Sequence, residues 1–431
     1  MRTRFAWIAG ILVLVSIGAL MACSDKYTSH SDALVVVSTY TGDAVMETFS
    51  LDLGNGQMTQ INNVNGPPTA GAATVVLLDP PGAYAYVLLS QNSTVIGGTG
   101  IARYPVNSDG TLGASLGTFT LSNTQIVVNG QTESIPVAPV AMAMDSAGKF
   151  LFVADAQTSD SAGNAVPGTV SVLAIGSNAS LTEVSSSASE TIPFPIPVQP
   201  GGQPADPSAL AVTPTVYPVL DAPCTAHTPP TTEDLYVTDL QNYLVFNYLV
   251  SSTGSLSLVP TGGSTQGIPT GAEPNGVTVD PCNRFVYVGN SEGSSVSAYT
   301  ICSAVSLPEC QYADYSLLPV AGSPFKSGDG AGPLTVDAYA HFLYVLATKA
   351  TSVYAYNISA TNGALTPMTP NYVGTGAFPT SIAIRSDDSF MVVTNLNAAS
   401  LSEFGVTPGD GALTVQPTVP TFNYPWGVAL K

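Results

Sequence analysis

One apolar pattern recurs seven times along the chain. The copies are Leu34-Val35-Val36-Val37, Tyr84-Ala85-Tyr86-Val87, Phe150-Leu151-Phe152-Val153, Asp234-Leu235-Tyr236-Val237, Phe285-Val286-Tyr287-Val288, Phe342-Leu343-Tyr344-Val345 and Phe390-Met391-Val392-Val393. Their aligned valines lie 50, 66, 84, 51, 57 and 48 residues apart. Small or polar residues follow each copy, as Gly289-Asn290 and Thr394-Asn395 do. A second run comes next, for example Val296-Ser297-Ala298-Tyr299 or Val353-Tyr354-Ala355-Tyr356. Its alternation is that of a half-buried strand. Asp109-Gly110, Asn362-Gly363 and Asp410-Gly411 then lead into a third strand, because Gly tolerates the positive φ of a tight hairpin. A fourth strand of small and β-branched residues precedes the next copy, as Gly276-Val277-Thr278-Val279 and Ser381-Ile382-Ala383-Ile384 do.

Four strands per unit and seven units predict an all-β, seven-bladed β-propeller with four-stranded blades. The small-residue strand suits the crowded centre of the ring. The first repeat opens at its second strand, near Ala33, and the chain ends on an orphan innermost strand, Gly427 to Leu430. The C-terminal strand is therefore expected to complete the N-terminal blade and close the ring. Closure hides edges that would otherwise pair with other chains. No composition break divides the repeats, so residues 33–431 read as one domain.

Composition narrows the function classes. Of 431 residues, 45% are hydrophobic and 9% charged, with 29 acids against 10 bases and a net charge of −19. Nucleic-acid binding needs a Lys/Arg patch, so no nucleic-acid partner is expected. The 40 Gly and 34 Pro fit many short strands and turns rather than a helical bundle.

The N-terminus reads as an address. Arg2 and Arg4 precede an apolar run, Ala6 to Leu20, of signal-peptide length. Leu20-Met21-Ala22-Cys23 resembles a bacterial lipobox, which makes 1–22 a lipoprotein signal peptide, Cys23 the lipidated residue and 23–32 a tether. Ordinary cleavage and an uncleaved anchor are the alternatives. Loss of 1–22 removes two Arg and no acid, taking the net charge from −19 to −21. The expectation is a monomer held at the cell envelope, on its periplasmic or outer face, by lipid in the membrane.

Residues 28–431 resemble the lactonase-like propeller family, which includes YVTN repeat proteins and propeller-type 6-phosphogluconolactonases. The resemblance rests on strands such as Tyr287-Val288-Gly289-Asn290, turns such as Val279-Asp280-Pro281, and Ala321-Gly322-Ser323-Pro324-Phe325 before a blade junction. It implies the propeller, and lactone hydrolysis as one activity. Similar repeats also serve in surface proteins without known chemistry.

Apart from Cys23, four cysteines remain: Cys224, Cys282, Cys302 and Cys310. An even number in an exported chain suggests disulfides. Cys302 and Cys310 bracket an insertion in blade 5. Cys224 and Cys282 occupy equivalent turns in neighbouring blades. The expected pairs are Cys302–Cys310 and Cys224–Cys282. A metal site is the alternative, but no Cys-x-x-Cys or His cluster accompanies them, so no metal or cofactor is expected.

His30, His227 and His341 occupy unrelated contexts, so no nucleophile–base–acid triad is in view. In a propeller, loops entering the innermost strand and loops leaving the following strand share one face. The repeat map puts Glu273, Asn275, Lys326, Asp329, Asp155, Asp239, Asn290, Glu292, Lys349 and Asn395 there, and Lys149, Arg284 and Arg385 on the other. Trp426 stands just before the last innermost strand. Glu273 with Lys349 and Asp239 is the catalytic candidate, Glu273 being the general base. Asn275, Asn290, Glu292, Lys326, Asp329 and Trp426 are candidate ligand contacts. Ordinary polar loop ends and an oxygen-ligand Ca²⁺ site are the other readings of the acids. Asp79, Asp145, Asp280 and Asp337 recur after innermost strands and are expected to cap turns. Only Lys326 and Lys349 are cationic on the candidate face, which disfavours a phosphorylated substrate. The leading functional expectation is a binding or scaffold module for a protein or glycan. A lactonase-like hydrolase is second, and a purely structural envelope protein third.

Overall fold

The computed structural model describes residues 32–39, 46–64, 71–90, 99–128, 130–184, 194–196, 202–214, 233–261, 266–302, 316–422 and 424–431. Residues 1–31, with Cys23, and the segments carrying Cys224 and Cys310 lie outside the described residues. The first strand is Asp32–Thr39, one residue earlier than the repeat map places it.

Alternation becomes seven antiparallel four-stranded blades. Blade 5 shows the plan: innermost Pro274–Val279, second Phe285–Asn290, third Ser295–Ile301 and outer Leu317–Pro319. Blade 6 runs Ala331–Val336, Phe342–Ala347, Ser352–Ile358 and Leu365–Gly374. Blade 7 begins with Pro379–Ile384 and Phe390–Asn395. Blade 1 is assembled from both ends. Asp32–Thr39 pairs on one side with Met46–Asp52 and on the other with Pro425–Leu430, in the register Val35↔Leu430, Val36↔Ala429, Val37↔Val428. The expected closure is therefore present.

Burial explains why the second strand of each blade carries the apolar run. Phe285–Asn290, Phe342–Ala347 and Phe390–Asn395 are buried at every position, because both faces of a blade pack on neighbours. Among the described residues, seven apolar clusters fill the seven gaps between adjacent blades. The closing gap packs Val35, Val37 and Phe49 of blade 1 against Phe390, Val392 and Leu401 of blade 7. Each fully buried aliphatic or aromatic side chain contributes about 1.5–3 kcal/mol. Polar pins add direction. Tyr287 donates its hydroxyl to the Gly363 carbonyl of the next blade at 3.1 Å, and Tyr344 does the same to Gly411 at 2.7 Å.

The turns behave as expected. Asp79, Asp145, Asp280 and Asp337 each accept two backbone N–H groups, four and five residues onward, at 2.5–3.0 Å. At the centre, backbones pass so closely that a Cβ on Gly276 would sit 2.2 Å from the Gly332 carbonyl oxygen.

A chain ending at Tyr424 lacks the innermost strand of blade 1. It is expected to lose its cooperative unfolding transition in a thermal melt followed by circular dichroism. A normal melt would show that ring closure contributes little.

Candidate functional site

The start of each innermost strand pairs with the end of the second, as Pro207↔Asp239, Pro274↔Asn290 and Pro379↔Asn395 do. Loops into the first and out of the second therefore gather around one mouth of the central channel. The pairing slips just inside that mouth, between Ala73 and Val75, Pro139 and Ala141, Pro207 and Ala209, Pro274 and Gly276, Ala331 and Leu334, and Pro379 and Ser381. Blade 1 has its own irregularity, opposite Pro425 to Val428. Such bulges re-aim the skipped side chain.

Where the skipped residue carries a hydroxyl, it joins neighbouring innermost strands. Ser208 Oγ donates to the Pro274 carbonyl at 2.6 Å, and Thr380 Oγ1 to the Trp426 carbonyl at 2.9 Å. Thr74 lies 2.9 Å from Ser90, whose hydroxyl donates to Pro139 at 2.6 Å. Val140, Asn275 and Trp426 occupy skipped positions without a hydroxyl. Val140 and Asn275 are exposed and Trp426 is half-buried, so these are what the bulges offer to the mouth.

The structure separates the sequence-derived candidates into two groups. Asp239, Asn290, Asn395 and Asp155 are buried and already engaged. Asp239 Oδ1 accepts the backbone N–H groups of Asp206, Gln241 and Asn242, and its Oδ2 accepts from the Asn242 side chain at 2.7 Å. Asn290 accepts from Gly271 N at 3.1 Å and faces Ser295 and Ser297. Asn395 repeats this with Gly376, Ser400 and Ser402. These groups fasten loops to blades. The roles expected for Asp239 as catalyst and Asn290 as ligand contact meet a physical obstacle, since neither reaches solvent.

The second group stays available. Glu273 is half-buried, and Asn275, Glu292, Lys326, Asp329 and Lys349 are exposed, all on blades 5 and 6. Backbone bonds draw them into one sector. Ser291 N donates to the Glu273 carbonyl at 2.8 Å, and Gly293 N to Ala272 at 3.1 Å. Ser294 donates to Asp329 Oδ1 at 3.4 Å, and Ala350 N to the Asp329 carbonyl at 3.0 Å. Lys349 passes beside Gly330, where a Cβ would lie 2.6 Å from its amide nitrogen.

No described arginine faces this mouth. Arg103 donates to the carbonyls of Ala179 and Leu116. Arg284 is held by Asp280 at 2.8 Å and donates to Ala360 and Ala340. Arg385 pairs with Asp387. Lys149, Arg284 and Arg385 lie at the turns of the opposite end, as the repeat map expects. His341 is there too, half-buried and stacked on Tyr339 with ring centroids 6.1 Å apart. Cys282 and Cys302 are buried, and neither is a free thiol. Among the described residues no His/Cys/Asp/Glu group could hold a metal ion.

The sequence reading missed several groups. Phe378, Phe422 and Tyr424 are 49%, 50% and 50% exposed and stand on the loops entering the innermost strands of blades 7 and 1. Glu47 is fully buried. It accepts Phe422 N at 2.7 Å and Gln60 Nε2 at 2.9 Å, so it anchors the loop that carries Phe422 and Tyr424. Glu403, buried between blades 7 and 1, has no hydrogen-bond partner for either carboxyl oxygen. Burial pushes the carboxyls of Glu47, Asp155 and Glu403 up to about 7. An acid inside an apolar run, as in Met46-Glu47-Thr48-Phe49, is the signal that could have found Glu47.

A family model described as lactonase, 7-bladed beta-propeller, matches residues 35–429. A search of curated proteins finds no match. Solved structures with the same fold include a candidate 6-phosphogluconolactonase from Bacteroides fragilis, 16% identical, covering 94% of this chain and 100% of that one, with a TM-score of 0.66. The periplasmic gluconolactonase PpgL of Pseudomonas aeruginosa is 18% identical over 93% of this chain and 99% of its own, with a TM-score of 0.62. A protein from Lactobacillus plantarum is 16% identical over 93% and 99%, with a TM-score of 0.64.

The buried acids set a pH dependence. Their folded forms hold a proton up to about pH 7, whereas unfolded carboxyls release it near pH ~4. Their contribution to stability is full below that value and is lost as pH rises through about 7. The melting temperature is expected to be higher at pH 5 than at pH 8, and Glu403→Gln to flatten part of that slope. A melting temperature that climbs from pH 5 to pH 8 would contradict the assignment.

Proposed function

Because the chain belongs to the seven-bladed β-propeller lactonase family, we propose that it hydrolyses a small uncharged lactone at the channel mouth. The observation that carries this reading is the available sector of blades 5 and 6. There Glu273 and Lys349 flank the mouth while the neighbouring polar groups are engaged in the fold. Family membership over nearly the whole ring favours the hydrolase over a binding or scaffold module.

The chemistry needs two things. A base must take a proton from water as its oxygen adds to the lactone carbonyl. A positive group must then stabilise the oxyanion that forms. The Glu273 carboxylate serves as the base, and the Lys349 ammonium, in the same sector on the next blade, faces the developing charge. Collapse of the tetrahedral intermediate breaks the ring C–O bond. The proton taken by Glu273 returns to the leaving ring oxygen, giving the open hydroxy acid. Asn275 at its bulge is placed to orient substrate hydroxyls, with Glu292, Lys326, Asp329 and Trp426 as flanking contacts. Asp239 acts indirectly in this scheme, by fixing the neighbouring loop. No metal or cofactor enters it.

Charge selects among lactones. The sector holds Glu273, Glu292 and Asp329 against Lys326 and Lys349, and the described arginines are tied up elsewhere. A phosphate is best held by bidentate Arg. An uncharged sugar lactone therefore fits better than its phosphorylated counterpart.

Location and covalent frame complete the proposal. Lipid on Cys23, after loss of 1–22, holds a monomer to the cell envelope, and the tether ends at 32. The disulfides are Cys224–Cys282 and Cys302–Cys310. In support of the first, Asn283, next to Cys282, donates to the Pro214 carbonyl at 2.7 Å, at the start of the segment that carries Cys224. A glycan or protein partner is the second reading, and the exposed aromatic side chains of the mouth favour a glycan over a protein.

Turnover of D-glucono-1,5-lactone, followed by acid release in a pH-stat, tests the proposal. Glu273→Gln is expected to lower kcat about 100-fold or more, and Lys349→Ala about 10–100-fold, each with little change in melting temperature. Unchanged rates in both variants would overturn the site. Separately, the wild-type protein is expected to incorporate labelled palmitate in cells and Cys23→Ser is not. A wild type that takes up no label would overturn lipid anchoring.

A further inference from the structure

The residue just before the innermost strand has a left-handed backbone in four blades. In chain order these are Glu273 (φ 53°), Gly330 (φ 77°), Phe378 (φ 55°) and Tyr424 (φ 60°). The geometry belongs to the loop rather than to the residue. The carbonyls of Glu273, Gly330 and Phe378 each accept the N–H of the residue that follows the second strand: Ser291, Thr348 and Leu396, at 2.8, 2.9 and 2.9 Å. Gly is the residue this conformation favours, and at Gly330 the close approach of Lys349 also leaves no room for a Cβ. A bulky aromatic there is strained.

Packing does not account for the strain. Phe378 is 49% exposed and Tyr424 50% exposed, so neither ring fills the core. Both positions open onto the mouth from adjacent blades. Thr380, two residues beyond Phe378, donates to the Trp426 carbonyl, two residues beyond Tyr424, at 2.9 Å. Going round the ring, the four positions read acid, gap, aromatic, aromatic. The gap at Gly330 is where Lys349 approaches. Backbone strain retained at an exposed site points to use of the side chain.

We propose that Phe378 and Tyr424 form the stacking platform that selects the uncharged ring of a sugar lactone, and that they present its carbonyl edge to the gap between Glu273 and Lys349. The ligand class rests on the lactone reading above. The C–H face of a sugar ring is apolar and slightly positive, which suits the negative face of an aromatic ring. Its hydroxyls then meet the acids and Asn275 at the rim. A small set of polar groups facing aromatic walls is the usual composition of a small-molecule site. The excess of acids on the same rim repels an anionic ligand of the same shape.

The strain supplies a test that a structural role would fail. Calorimetric titration with D-glucono-δ-lactam, an uncharged analogue that does not hydrolyse, reads binding without turnover. Phe378→Gly and Tyr424→Gly are each expected to weaken lactam binding about tenfold or more while holding or raising the melting temperature. Phe378→Tyr and Tyr424→Phe are expected to keep the affinity. Unchanged affinity in the Gly variants, or affinity and melting temperature falling together, would overturn the platform. So would a wild-type protein that opens lactones without binding the lactam. Lactam binding that depends on both rings in a protein without turnover would support the platform and overturn only the hydrolase reading.

Discussion

Seven innermost strands share one axis, and the distance at which their backbones pass constrains everything around them. A Cβ at Gly276 would lie 2.2 Å from the Gly332 carbonyl oxygen. The strands cannot run straight to the mouth under that crowding. They bulge at one level, and the bulged hydroxyls of Ser208 and Thr380 bond to the carbonyls of the next innermost strand. Blades 2, 4 and 7 are thus joined to the next blade near the axis by polar bonds, and every blade is joined further out by apolar packing, with Tyr287 and Tyr344 as added pins. Closure by Pro425–Leu430 extends the same arrangement to blade 1.

The constraint also divides the polar residues of the mouth. A side chain at the end of a second strand lies under a loop whose backbone N–H groups need acceptors. Asp239, Asn290 and Asn395 meet that need and are buried in doing so. A side chain on the loop itself stays outside. Glu273, Lys349, Phe378 and Tyr424 are of this second kind, and so are the acids that set the negative charge of the rim. The chemistry available to the mouth therefore comes from its loops, carried on a frame fixed by the ends of the strands.

Much of this was legible in the sequence because blades repeat. The copies around Val37, Val87, Val153, Val237, Val288, Val345 and Val393 give the strands, and the orphan Gly427–Leu430 gives the closure. The Asp280 turn is readable because its partners, Arg284 and Phe285, lie four and five residues away. Ring position is readable for Asp239 and Asn290, but their engagement is not. Asp239 accepts from Asp206 and Asn290 from Gly271, partners 33 and 19 residues distant. The aromatic pair was missed for another reason. Gly is the usual sign of a left-handed backbone, and Phe378 and Tyr424 hide one. Glu403 and Glu47 were missed because strand periodicity reports which face a residue takes and not whether an acid there finds a partner.

The proposed chemistry requires this mouth to take an uncharged lactone. The most direct measurement is the ratio of kcat/KM for D-glucono-1,5-lactone to that for its 6-phosphorylated form, at low and at physiological ionic strength. A ratio above about ten that falls as salt screens the acidic rim is expected. A preference for the phosphorylated lactone that weakens with added salt would contradict it.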